Sequence, residues 1–138
     1  MRPMPTILDA MTPFPHSIEG TEHLRTAVAL MYAKEIRHLP VTTAGQLTGL
    51  LTDRDAKLAM AITKNKREQD AMLVEEVCIV DPYVVPHTEK LDVVVRSMGE
   101  KHIGSALITR EGKLVGIFTA TDAIYRLAEL LKAHYPDA

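Results

Sequence analysis

Tryptophan is missing from this 138-residue chain, and only four Tyr and two Phe are present, so the core has to be built mainly from aliphatic side chains. The single cysteine, Cys78, excludes an internal disulfide. No stretch approaches the ~18 consecutive apolar residues of a membrane-spanning helix, because Arg, Lys, Asp or Glu interrupts every apolar run. The N-terminal Met1-Arg2-Pro3-Met4-Pro5 lacks the apolar segment of a secretory signal, and the expectation is a soluble cytoplasmic protein without direct membrane insertion. A basic excess is absent too. Sixteen Lys and Arg against 18 Asp and Glu leave a net charge of -2, which is not the footprint of phosphate-backbone binding, so nucleic acid is not an expected partner.

What the chain does have is a repeat. Shifted by 67 positions it superimposes on itself without a gap, matching Thr21 with Thr88, Leu24 with Leu91, Met31 with Met98, Gly45 with Gly112, Gly49 with Gly116, Thr52 with Thr119 and Asp55 with Asp122. Each copy begins with a short extended piece (Ser17-Ile18, Val84-Val85) and a Thr, Thr21 or Thr88, able to cap a following helix. Leu24, Ala27, Val28 and Met31 fall at i, i+3, i+4 and i+7, as do Leu91, Val94, Val95 and Met98, which predicts an amphipathic helix with one core-facing stripe. A hairpin follows in each copy, over 39–43 and 47–52 around Gly45, and over 106–109 and 114–119 around Gly112. A second helix closes each unit. The charged run from Lys64 to Asp70 reads as a solvated connector, giving repeats of 1–66 and 67–138.

The richest chemistry sits where the last strand of each copy meets its last helix, in Gly49-Leu50-Leu51-Thr52-Asp53-Arg54-Asp55 and Gly116-Ile117-Phe118-Thr119-Ala120-Thr121-Asp122. Thr followed three residues later by an acid is the pattern of a helix cap. The same geometry can hold a ligand: a helix start offers N–H groups and a positive dipole end to phosphate, a carboxylate accepts from two adjacent ribose hydroxyls, and Gly lets backbone approach closely. Capping and binding are compatible. The six histidines show no paired-ligand spacing, so no metal is expected, and Ser105 lacks the glycine frame of a nucleophile elbow. A catalytic residue cannot be assembled, and the chain reads as a binding module, not an enzyme.

The ordered double set of motifs resembles the cystathionine-β-synthase (CBS) domain, which occurs in tandem pairs called Bateman modules. The residues that carry the likeness are Ile7 to Thr12, the helix ending in Met31, Ile36-Arg37-His38-Leu39-Pro40-Val41, Gly45 and the Gly49 to Asp55 motif, repeated from Val74 to Cys78, at Met98, over Ile103 to Ile108, at Gly112 and over Gly116 to Asp122. The resemblance implies an α/β (α+β) fold of two units, each a small mixed sheet with two helices, related by a pseudo-twofold axis. It implies a regulatory module that holds AMP, ADP, ATP or S-adenosylmethionine in clefts between the units, signals to an unidentified effector protein, forms a homodimer and needs no cofactor.

Carried over position by position, the resemblance puts Asp55 and Asp122 on ribose hydroxyls and Thr52 and Thr119 on phosphate or ribose. It lets Ile36, Arg37, His38 and Pro40, and Ile103, Gly104, Ser105 and Ala106, frame adenine together with His16 and Tyr83. Thr121 joins the second motif, and Arg54 beside Asp55 is a phosphate contact or a solvated helix-start residue. Thr12 corresponds to Ile79, and Arg37-His38 to Gly104-Ser105, so the first cleft is expected to be the more polar of two unequal sites. The rival reading is a structural interaction module with empty clefts, in which both Asp residues only cap helices.

Overall fold

The computed structural model describes residues 2–137. In chain order it has a 3₁₀ turn at Ile7–Asp9, β1 (Thr12–Pro13), β2 (Ile18–Glu19), α1 (Leu24–Lys34), β3 (His38–Thr43), β4 (Gln46–Thr52), α2 (Asp53–Ala61), α3 (Lys66–Ala71), a 3₁₀ turn at Val74–Glu76, β5 (Val84–Pro86), α4 (Leu91–Lys101), β6 (Ser105–Arg110), β7 (Lys113–Thr119) and α5 (Ala120–His134). This is the mixed α/β architecture that the repeat predicts, with two small sheets.

The chain packs as two compact units that differ from the sequence repeats. One comprises Pro15–Pro82; the other joins the residues up to Phe14 to those from Tyr83 onward. In the 15–82 unit the strand order is β2-β3-β4, with β2 parallel and β4 antiparallel to β3. In the other unit the order is β1-β7-β6-β5, and the fourth strand is the N-terminal Thr12–Pro13 pair laid antiparallel on Ile117 and Gly116. Each hairpin turns through two residues with positive φ, Ala44-Gly45 and Glu111-Gly112, the type I′ geometry that suits strand twist.

Backbone bonding and burial explain the exchange of segments. Ile7 is fully buried among Val85, Val94, Ala106, Ile108 and Phe118, while Val74 is fully buried among Leu24, Met31, Leu39 and Leu51. Thr21 and Thr88 do not cap the helices: α1 starts at Leu24, whose N–H donates to the Met72 carbonyl (2.8 Å), and α4 starts at Leu91, whose N–H donates to the Pro5 carbonyl (2.9 Å). The first orphan amide of each helix is thus satisfied by the segment that precedes the other repeat. The stripe of α1 is buried or half-buried as the periodicity predicts; in α4 Val94 and Met98 are buried, whereas Val95 is exposed. The charged connector is not structureless. Asn65 Oδ1 accepts from Glu68 N (2.8 Å) and starts the short α3, none of whose residues is buried.

Candidate functional site

The two T-x-x-D junctions form as capped helix starts. Thr52 Oγ1 accepts from Asp55 N (3.1 Å) and Thr119 Oγ1 from Asp122 N (3.2 Å). The helix N-termini are less open to an anion than the sequence implies, because Asp53 N donates to the Arg37 carbonyl (2.9 Å) and Ala120 N to the Gly104 carbonyl (2.8 Å). With the first and third amides of each first turn engaged, Arg54 N and Thr121 N are left for a ligand.

The junctions then diverge. Asp122 Oδ2 accepts from Thr119 N (2.9 Å), completing a capping box, whereas the Asp55 carboxylate accepts no hydrogen bond among the described residues. Antiparallel register brings the strand starts to the caps, with His38 directly opposite Thr52 and Ser105 directly opposite Thr119. His38 is half-buried. Ser105 is 4% exposed, and its hydroxyl has no hydrogen-bond partner among the described residues, so it retains a donor and acceptor beside the second cap. Pro40 and Ala106 are buried, and Ile36 and Ile103 are half-buried at the core edge.

Several expectations about placement change. Thr12 pairs with Ile117, two residues before Thr119, and belongs to the unit that holds Asp122. Ile79 occupies the matching place beside Leu50 in the Asp55 unit. The cause is the exchange of N-terminal segments, which a shift of the sequence against itself does not reveal. His16 is exposed just before β2 in the Asp55 unit, and the half-buried Tyr83 lies in the Asp122 unit with the Lys101 ammonium 5.1 Å from its ring centroid. Packing constrains Gly49 and Gly116, since a Cβ on Gly49 would lie 2.7 Å from the Ile79 carbonyl oxygen and one on Gly116 would strike the Met11 thioether.

Two cavities flank α2. One, of about 570 Å³, is framed by Met31, Tyr32 and Glu35 at the end of α1, by Arg37, and by Asp53 and Lys57, which pair at 3.1 Å. The other, of about 350 Å³, is the one that Asp55 lines. Leu58, Ala59 and Ile62 of α2 line it together with Met72, Glu76 and Val77. Arg37 and Asp55 therefore serve different cavities. The second cavity has a sequence signature that the motif search passes over: Asp55, Leu58, Ala59 and Ile62 fall at i, i+3, i+4 and i+7. Burial pushes the Cys78 thiol up, its own backbone amide opposes this, and the Glu75 carboxylate adds to the upward shift.

Comparison with known proteins places this geometry. The chain is 32% identical over 118 residues to the homoserine O-acetyltransferase of Methanocorpusculum labreanum, a match covering 83% of this chain and 23% of that protein, so the chain spans about a quarter of that curated relative. Among solved structures, AcuB of Vibrio cholerae, assigned to acetoin utilization, superimposes with a TM-score of 0.84 at 28% identity over 99% of each chain. The CBS domain pair of MJ0100, solved with 5′-methylthioadenosine and S-adenosylmethionine, gives 0.81 at 22% identity over 93% of this chain and 99% of that one. CBSX2, solved with AMP, gives 0.77 at 23% identity over 91% and 97%. The CBS domain family matches this chain twice, at residues 7–62 and 74–129, and the chain belongs to that family as a tandem pair of CBS domains.

Proposed function

We propose that the chain is a non-catalytic regulatory module that takes an adenosine-containing ligand at its strand-to-helix junctions and passes the event to a partner protein. The observation that carries this reading is the Thr52–Asp55 junction, where a capped first turn holds a carboxylate that accepts no hydrogen bond among the described residues and is available to a diol. Support comes from similarly folded pairs that were solved with such ligands, MJ0100 with 5′-methylthioadenosine and S-adenosylmethionine and CBSX2 with AMP. Thr52, Arg54, His38 and His16 are the candidate contacts in the Asp55 unit; Thr12, Tyr83, Ser105, Thr119 and Thr121 are those in the Asp122 unit.

The structural reading keeps one specific argument, at the second junction. There Asp122 is engaged in a reciprocal capping box, so its carboxylate has a role without any ligand. Thermal melts separate the two readings. A ligand at a hundredfold excess over its dissociation constant adds about 2.7 kcal/mol, which for a chain of this size raises the melting temperature by roughly 5 to 15 °C. Asp55→Ala is expected to abolish most of that increment. Asp122→Ala should lower the unliganded melt by about 0.5–1 kcal/mol through the lost cap and keep more of the increment. An unchanged increment in both variants and in the double variant would overturn the site.

A further inference from the structure

We infer that the cavity lined by Ala59 and Glu76 binds a small molecule carrying an aliphatic guanidinium, which enters from outside the place that Arg126 fills in the other unit. The inference goes beyond the adenosyl reading and does not rest on it. The shift of 67 positions that relates the copies carries Ala59 onto Arg126, Glu76 onto Asp9 and Met72 onto Pro5. The two places are built alike. Met72 O accepts from Leu24 N (2.8 Å) as Pro5 O does from Leu91 N (2.9 Å), and Glu76 Oε1 accepts from Leu73 N (3.3 Å) as Asp9 Oδ2 does from Thr6 N (3.2 Å). In the Asp122 unit the half-buried Arg126 reaches from α5 to the 3₁₀ turn, where its Nη2 donates to the Asp9 carbonyl (2.9 Å). In the 15–82 unit the matching side chain is the methyl of Ala59, and a cavity of about 350 Å³ lies beside it.

The lining keeps what a guanidinium and its stem need. The Glu76 carbonyl, counterpart of the one that Arg126 meets, accepts no hydrogen bond among the described residues. Leu58, Ala59, Ile62, Met72 and Val77 offer apolar surface to a methylene stem. Charge decides the sign of the head group. Asp55 and Glu76 both line the cavity, and among the described residues that line it no side chain is cationic, so a cation is attracted and an anion repelled wherever in it either sits. Guanidinium is favoured over ammonium because it is more weakly hydrated and its planar fork donates to a carbonyl and a carboxylate together.

Two-dimensional NMR of the whole chain, titrated at low salt with n-propylguanidine, its neutral isostere n-propylurea, agmatine and N-acetylarginine amide, tests this. n-Propylguanidine should give saturable shifts confined to 55–62 and 72–77, and n-propylurea should bind about tenfold more weakly. Agmatine, with a second positive charge, should bind about threefold to tenfold more tightly than n-propylguanidine and lose that advantage as salt is added. Ala59→Arg, which supplies the group from α2 itself, should abolish the saturable shifts. Arg126→Ala should add a second set at 5–10 and 122–129, where the matching place is opened. Equal binding of n-propylurea overturns the inference, because charge is then irrelevant. So do shifts that Ala59→Arg leaves unchanged, which place the cation elsewhere on the acidic surface. N-acetylarginine amide stands for an arginine side chain of another protein, and its binding more tightly than agmatine would overturn the assignment to a free small molecule.

Discussion

At Gly49 an added Cβ would sit 2.7 Å from the Ile79 carbonyl oxygen and 2.9 Å from Cys78 Sγ. That carbonyl cannot retreat, because Leu50 N donates to it (2.9 Å) while Ile79 N donates back to Leu50 O (2.8 Å). At Gly116 the obstacle is the Met11 side chain, a flexible thioether that can swing aside. Gly49→Ala should therefore cost about 1–3 kcal/mol, and Gly116→Ala less. In a double-mutant cycle Met11→Ala should relieve Gly116→Ala, whereas Cys78→Ala should leave most of the Gly49→Ala penalty in place. Urea denaturation measures all four terms, and equal costs at the two glycines would contradict this account. The glycines also mark what a sequence can say at this scale. Thr52 and Thr119 cap as the T-x-x-D spacing predicts because the bond is local. Whether the carboxylate returns to the Thr amide depends on rotamer and surroundings, so Asp55 and Asp122, identical in the motif, end in different states.

Among the elements, the hairpin β3–β4 shows how one unrepeated residue alters a repeated part. Glu19 on β2 reaches over the turn: its Oε2 accepts from Thr42 Oγ1 and its Oε1 from Ala44 N (2.9 Å). Those bonds, the Thr42 hydroxyl first and the Ala44 amide next, hold the Glu19 carboxyl below its ordinary range. A carboxyl lowered by folding contributes stability above its unfolded pKa and loses it as the pH falls through the folded value. Wild type should therefore lose stability from the ordinary Glu range downward in part through Glu19, and Glu19→Gln should flatten that acid limb while changing little between two acidic pH values below it. Urea midpoints from neutral pH to about pH 3 check this; parallel profiles for the two proteins would remove Glu19 from the account. The β6–β7 hairpin has no such brace, since Pro86 stands at the matching position. The hairpins and first helices were legible because their patterns are local. The exchange of segments was not, because Ile7 and Val74 are equally apolar and either could fill either core on sequence grounds alone; only long-range backbone bonds, such as Ile7 N to Glu89 O (2.7 Å) and Val74 N to Glu22 O (2.9 Å), decide it. The packing of Thr12 in the unit of Asp122 was hidden for the same reason.

For the molecule as a whole, the outstanding feature is α5, a 15-residue helix without a single buried residue. Ile124, Leu127 and Leu131 run along it at i, i+3 and i+7 and are 66%, 55% and 50% exposed, with Leu130 beside them at 57%. A helix stripe of this kind normally faces a core, and an uncovered one of this length is the mark of an association surface. A second copy fits it. Antiparallel pairing of two α5 helices sets Ile124 against Leu131 of the other copy, joining apolar to apolar on both sides of a twofold axis, as an isologous contact requires. We therefore expect a homodimer at tens of micromolar by light scattering, with a melting temperature that rises with protein concentration. Leu127→Glu combined with Leu131→Glu should give a monomer whose melting no longer depends on concentration. Because neither side chain is buried, the fold itself should lose no more than about 0.5 kcal/mol for each substitution, and its circular dichroism should match that of wild type. A wild-type monomer would remove the dimer altogether, and a double variant that stays dimeric would move the contact away from α5.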